Sequence, residues 1–229
     1  MSKYLSLWES RPPEPFAVTK QLSRQLVRDV GVDGLGVAVF ATDSTRDLVF
    51  ATDGVAEHLD ELQFTLGEGP CLDAYRFDSP ECHDDMAGGE ALTRWPLFAS
   101  EALSVGAASL YAYPLDGGGT PFGVLELYGR SPIALTPRDD VTCRAYAHTL
   151  AYAVVSELAP AYALTSGSNV GVFRHGNVHI ACGILAAYHG ISVDEAMVRL
   201  RALAFSRQRR ITAIAQEVIE GERFSPELH

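Results

Sequence analysis

The chain has 229 residues, 47% of them hydrophobic, and a formal net charge of −11. That length allows one or two domains of ordinary size, and the apolar content excludes global disorder. No apolar run reaches the roughly 18 residues that a membrane helix needs. The opening, MSKYLSLWESRPP, lacks the basic flank, apolar stretch and small-residue cleavage site of a signal peptide. A soluble, cytoplasmic protein without membrane contact is therefore expected.

Residues 1–17 end in the Pro-rich run Arg11-Pro12-Pro13-Glu14-Pro15 and read as a leader. From Val18 to Val30, apolar residues recur at Val18, Leu22, Leu26 and Val30, the spacing of a helical stripe. Gly34–Phe40 and Asp47–Thr52 read as strands joined by a turn over 42–46. A short helix around Val55–Gln63 leads into the glycine-punctuated segment Leu66–Cys71, and Trp95–Ser104 reads as a connecting helix. Ala107–Leu115 and Phe122–Tyr128 fit two more strands about the turn Asp116–Gly119. Strands bracketed by helices point to an α+β domain with an antiparallel sheet.

A long helix is expected from Thr136 to about Ala163, opened by a Thr cap and Pro at the first turn. Its stretch Ala145–Val155 is apolar nearly all round and needs cover on both sides. One side can pack on the sheet; a second copy of the chain is the expected cover for the other, giving a homodimer through helix 136–163. Thr165–Asn169 marks a linker, and the chain divides into a sensor-sized domain over 18–163, a linker over 164–171 and a bundle over 172–226.

That bundle is the clearest pattern. Helix one carries Phe173, Asn177, Ile180, Ala181, Ile184 and Tyr188 at helical spacing and stops at His189-Gly190. Ser192–Glu195 is a capping box opening helix two, with Val193, Ala196, Met197, Leu200 and Ala204 inward. Helix three runs from about Ile211 to Glu220.

Charge is distributed unevenly along these units. Residues 1–170 carry 11 basic against 23 acidic side chains; residues 171–229 carry 7 arginines against 6 acids. Between Arg199 and Arg210 stand five arginines and no acid, so any contact with a polyanion falls on the C-terminal quarter. Lysine occurs only at Lys3 and Lys20. That excludes a Gly-Lys-Ser/Thr phosphate loop. It also removes Asp84-Asp85 as a receiver-type phosphoacceptor, which needs a lysine further along the chain. The four cysteines have no Cys-x-x-Cys spacing, against a zinc site or a disulfide framework, and no metal is expected.

The segments Leu66–Ala74 (LGEGPCLDA), Arg94-Trp95-Pro96, Tyr113-Pro114-Leu115 and Gly123–Tyr128 (GVLELY) resemble a GAF domain, a small-molecule sensor module. Residues 173–220 resemble an ANTAR domain in Ala181–Leu185 (ACGIL), His189-Gly190, Asp194–Ala196, Leu200-Arg201 and Ile214-Ala215. The resemblance implies an α+β GAF-like fold followed by an all-α three-helix ANTAR bundle. It further implies a non-enzymatic antitermination regulator whose ANTAR unit binds paired hairpins in nascent mRNA and disfavours a terminator helix. The sensor would take a small ligand of unspecified identity and no fixed cofactor. This chain departs from the family pattern in helix one, with His179 and Cys182 where Lys or Gln is common.

Arg199, Arg201, Arg207, Arg209 and Arg210, with Arg174 on helix one, form the expected RNA surface. Guanidinium groups pair with phosphates and stack on unpaired bases. For the sensor pocket the candidates are Cys71, Asp84, Trp95, Tyr111 and Tyr113. Cys71 follows a Gly-Glu-Gly-Pro turn, where a thiol is either reactive or simply a buried small hydrophobe. Two rivals remain open: a helix-turn-helix DNA binder, and a GAF-fold reductase of free methionine sulfoxide using Cys71 and Cys82.

Overall fold

The computed structural model describes residues 14–41, 46–165 and 175–221, with 159–165 by backbone alone. Its strands are β1 (Gly34–Phe40), β2 (Arg46–Ala51), β3 (Glu81–His83), β4 (Ser109–Asp116) and β5 (Pro121–Gly129). They form one antiparallel sheet in the order β2-β1-β5-β4-β3. The four strands read from the sequence are all present, and Cys82 and His83 form the edge strand β3.

Side chains alternate between the sheet's two faces, as the period of a strand requires. Leu35, Val37, Tyr111, Tyr113, Leu115, Leu125 and Leu127 meet the helices α1 (Ala17–Val30) and α6 (Pro137–Thr165) through Leu26, Cys143, Ala147, Leu150 and Val154. The opposite face is covered by α2 (Gly54–Leu66), α3 (Pro70–Phe77), α4 (Gly89–Arg94) and α5 (Pro96–Ser104). There Ala38, Phe40, Ala112 and Val124 pack on Cys71, Leu72 and Ala74. Leu110 and Tyr128 pack on Leu59, Trp95, Phe98 and Ala102.

Local chemistry sets the helix ends. Asp53 caps α2 by accepting from the amides of Val55 and Ala56. Glu68 accepts from the amides of Leu97 and Phe98 at the start of α5. Thr136 Oγ1 accepts from the amide of Asp139 while Asp139 accepts from the amide of Thr136, a reciprocal cap behind Pro137. Glu157 of α6 accepts from the amides of Val18 and Thr19 and from the Thr19 hydroxyl, tying α1 to α6. Gly69 has φ +137°, and a Cβ there would stand 2.5 Å from Cγ of Gln63. The glycine therefore lets Gln63 pass beneath the turn.

The C-terminal bundle consists of α7 (Gly176–His189), α8 (Val193–Ser206) and α9 (Ile211–Ile219). Gly190 closes α7 in the left-handed region, and Ser192 Oγ caps α8 by accepting from the Glu195 amide at 3.1 Å. Val178, Ala181, Cys182, Leu185, Met197, Leu200, Ile211, Ile214 and Ala215 form its core.

Two expectations are corrected. Ile180, Ile184 and Tyr188 do not face inward; they are 55%, 42% and 83% exposed. Because α7 has no charged residue, periodicity alone could not set its phase, and the smaller stripe through Ala181 and Cys182 faces the other two helices. Val193, the first residue of α8, is exposed as well. On α6, the sheet and α1 cover one side, while Val141, Tyr152 and Val155 remain exposed on the other. Residues 1–13 of the leader, 42–45 of the turn, Phe173 and most of the linker lie outside the described residues, and Ala17, the last residue of the expected leader, already opens α1.

Candidate functional site

Arg207, Arg209 and Arg210 gather around the α8–α9 junction, while Arg199 and Arg201 lie midway along α8. Gln208 adopts φ +50°, and the amide of Arg209 donates back to the carbonyl of Ala204, so the chain reverses tightly between the helices. Arg199 Nη2 lies 2.6 Å from Glu195 one turn earlier on α8. Arg209 donates to Glu217 on α9. Arg207 is the C-cap residue of α8. Arg174 lies outside the described residues.

Arg201 and Arg210 turn toward the N-terminal domain instead. Arg210 Nε is 3.3 Å from Glu61 Oε2 on α2, and the hydroxyl of Thr212 donates to Glu61 Oε1 at 2.8 Å. The guanidinium of half-buried Arg201 sits 5.4 Å above the ring of Phe64, also on α2. Asp60, Glu61 and Phe64 share one face of α2 because they are three and four residues apart. Phe64 is only 1% exposed; its ring packs with the core of the bundle, and the guanidinium of Arg46, from its own domain, lies 6.0 Å from the ring centroid.

Ahead of α7, His175 completes the contact. Its ring stacks on Phe64 at 4.0 Å and 7°. Its backbone amide donates to Asp47 Oδ1 at 2.6 Å, and Nδ1 lies 3.2 Å from the Arg46 carbonyl. Burial pulls the imidazole down to about 4, while Asp60 opposes that shift. Burial also pushes the Asp47 carboxyl up to about 6, against the His175 amide.

His175 takes up a proton more readily in solvent, at about 6.5, than in the contact, at about 4. Its contribution to the contact is therefore complete above 6.5 and declines as pH falls toward 4. Asp47 works in the opposite direction between about 6 and its ordinary value. An NMR titration of the His175 ring is expected to give a midpoint near 4 in the intact chain. A midpoint near 6.5 would place that ring in water.

Beneath α2 lies a buried polar cluster. The Arg46 side chain, fully enclosed, is 3.2 Å from Asp60 Oδ1 and 3.2 Å from the sulfur of Cys71. Gln63 Nε2 donates to both carboxylate oxygens of Glu126, at 2.8 and 2.9 Å, and Gln63 Oε1 accepts from the Cys71 amide. Burial lifts the Glu126 carboxyl to about 7, although Gln63 and Arg46 pull it back. Burial also pushes the Cys71 thiol well up, despite Arg46. At neutral pH Cys71 is a thiol, not a nucleophilic thiolate.

The five candidate pocket residues do not converge. Cys71 and Trp95 lie on the α2–α5 side, where Trp95 donates to Asp73 at 3.0 Å. Tyr111 and Tyr113 face α1 and α6. The Tyr111 hydroxyl lies against Asp84 and the Ile133 carbonyl, and Tyr113 donates to Asp140. Cys82 sits 3.9 Å from the Tyr113 hydroxyl, on the opposite side of the sheet from Cys71. A cleft of about 710 Å³ instead lies between α2, α5 and the α8–α9 junction, lined by His58, Leu62, Leu66, Glu101, Phe205 and Arg209 among others.

Sequence reading missed Arg46, Asp60, Glu61, Phe64 and His175. The shared α2 face of Asp60, Glu61 and Phe64 was a readable signal, but nothing in the local pattern named its partner.

A model of the GAF domain matches residues 17–155, more than half of the chain. The chain belongs to the GAF domain family. A model of the ANTAR domain matches residues 176–219, the α7–α9 bundle. The architecture is thus a sensor-type GAF domain followed by an ANTAR domain, the RNA-binding module of antitermination regulators. No curated protein matches the chain.

Among solved structures, the fold is similar to the photoproduct state of GAF3 from Slr1393 of Synechocystis sp. PCC6803, with 18% identity and a TM-score of 0.50. That match covers 63% of this chain and 96% of that one. A GAF domain/HD domain protein from Geobacter sulfurreducens is 17% identical with a TM-score of 0.47, covering 62% and 93%. A type II free methionine-R-sulfoxide reductase from Thermoplasma acidophilum is 14% identical with a TM-score of 0.40, covering 61% and 96%. The first likeness supports the GAF fold alone. Among the described residues, no helix is long and apolar enough to cross a membrane.

Proposed function

We propose that the chain is a signal-responsive transcription antiterminator that binds hairpins in nascent mRNA through its ANTAR domain. The arginines at the α8–α9 junction carry this reading. They crowd one end of the bundle, where planar guanidinium groups can meet phosphates and unpaired bases. The protein acts in the cytoplasm as a homodimer, with the exposed α6 face of Val141, Tyr152 and Val155 against a second copy. Two linked ANTAR domains gain affinity through effective concentration only when their spacing fits both hairpins, so a change in the GAF domain can switch binding.

The geometry gives less to the rival readings. Cys71 and Cys82 lie on opposite sides of the sheet, so the second cannot resolve a sulfenic acid formed on the first. Helix α9 turns Ile211, Ile214, Ala215 and Val218 into the bundle, and its exposed Gln216 pairs with Asn177 and Glu220. That leaves few groups to read a DNA major groove.

The deciding measurement is a salt titration of binding to a two-hairpin RNA, with single-hairpin RNA and duplex DNA as controls. Changing both Arg209 and Arg210 to alanine is expected to weaken two-hairpin binding at least tenfold and to flatten the salt slope by roughly 1–2. Unchanged affinity at matched salt would remove these residues from the interface. A preference for duplex DNA would favour the helix-turn-helix reading.

A further inference from the structure

The contact between the two domains uses the groups that RNA would need. Glu61 presents a carboxylate to the guanidinium of Arg210 and to the hydroxyl of Thr212, near the N-terminus of α9. A phosphate oxygen seeks the same groups, because charge-assisted hydrogen bonds and a helix N-terminus both favour an anion there. Phe64 offers a flat ring between His175 and the guanidinium of Arg201. An unpaired base stacks on such groups in single-stranded RNA.

We infer that α2 of the GAF domain is an internal competitor of RNA, with Glu61 in the place of a phosphate and Phe64 in the place of a base. This rests on the RNA-binding reading above and adds its regulation. While α2 is seated, Arg201 and Arg210 are engaged within the chain, and the apparent affinity for RNA falls by the fraction of molecules that are open. Arg210 is still 57% exposed at its side chain, so an incoming phosphate can reach it and displace Glu61.

The same helix links this contact to the interior of the sensor. Asp60 and Gln63, on α2, hold Arg46, Glu126 and the Cys71 amide. A signal that rearranges that cluster must move α2, and moving α2 withdraws Glu61 and Phe64 from the ANTAR domain. The α2–ANTAR contact is therefore the bistable element through which the sensor acts on RNA.

The test uses the full chain with Glu61→Gln and, separately, Glu61→Arg, which sets like charges at Arg210. Two quantities are read: affinity for the two-hairpin RNA at fixed salt, and amide hydrogen exchange across 199–219 without RNA. Both variants are expected to bind RNA at least tenfold more tightly than the unmodified chain, with faster exchange in α8 and α9. Combining Glu61→Arg with Arg210→Glu restores slow exchange. Faster exchange with unchanged RNA affinity would overturn the competition and leave the RNA reading standing. Unchanged exchange would show that Glu61 does not hold the domains together and would overturn the inference directly. Faster exchange with no RNA binding by any form would overturn the RNA reading, and the competition with it.

Discussion

Replacing Arg46 with methionine is expected to lower the unfolding free energy by about 3–5 kcal/mol. Methionine approximates the volume but removes the only cation among Asp60, Glu126 and Cys71 in the described cluster. Asp60 then stays enclosed, 5% exposed at its side chain, with an uncompensated charge. It also loses the guanidinium that donates to its carbonyl. Urea unfolding at neutral pH measures the loss. The paired change Arg46→Met with Asp60→Leu should recover much of it, because an apolar pair no longer has an ion to desolvate. A single variant costing less than about 1 kcal/mol would show that water reaches Asp60 and screens it.

The second large effect is at Phe64. Truncation to alanine removes a ring that is 1% exposed and should cost about 3–5 kcal/mol. The consequence is unusual in where it falls. The ring belongs to α2 of the GAF domain yet packs with Val178, Cys182, Leu200 and their neighbours in the ANTAR core. The cost therefore lands on the joining of two domains more than on the folding of either. Calorimetry of Phe64→Ala is expected to split one melting transition into two, with the small three-helix bundle melting first. A single transition shifted downward would assign the ring to the stability of the GAF domain itself.

Much of the fold was legible because local rules were sufficient. Short apolar runs bounded by turn residues marked β1, β4 and β5, Thr136-Pro137 marked the start of α6, and Ser192 with Glu195 marked that of α8. The helical phase of α7 was not legible, since a helix with no charged residue offers no contrast between its faces. The arginine cluster shows a different limit. No acid occurs between 199 and 210, yet the partners come from Glu195, Glu217 and Glu61, the last more than a hundred residues away. Local neutrality counts only neighbours in the chain. For the same reason the sequence listed aromatic residues as one pocket, while strand alternation had already sent Tyr111 and Tyr113 to the face opposite Trp95.

The cysteines turn this architecture into a set of internal reporters. Cys82 is exposed, whereas Cys71, Cys143 and Cys182 are buried, each in a different layer. Cys143 faces the sheet from α6, Cys71 faces the opposite side of the sheet from α3 with its amide held by Gln63 of α2, and Cys182 lies inside the ANTAR domain beside Met197. Alkylation of a buried thiol proceeds only through an opening that exposes it, so each rate reports the breathing of one layer. A stimulus that lifts α2 should hasten modification of Cys71 while Cys143 keeps its pace. The unaltered chain thus carries its own probes for tracing where a signal enters and how far it travels.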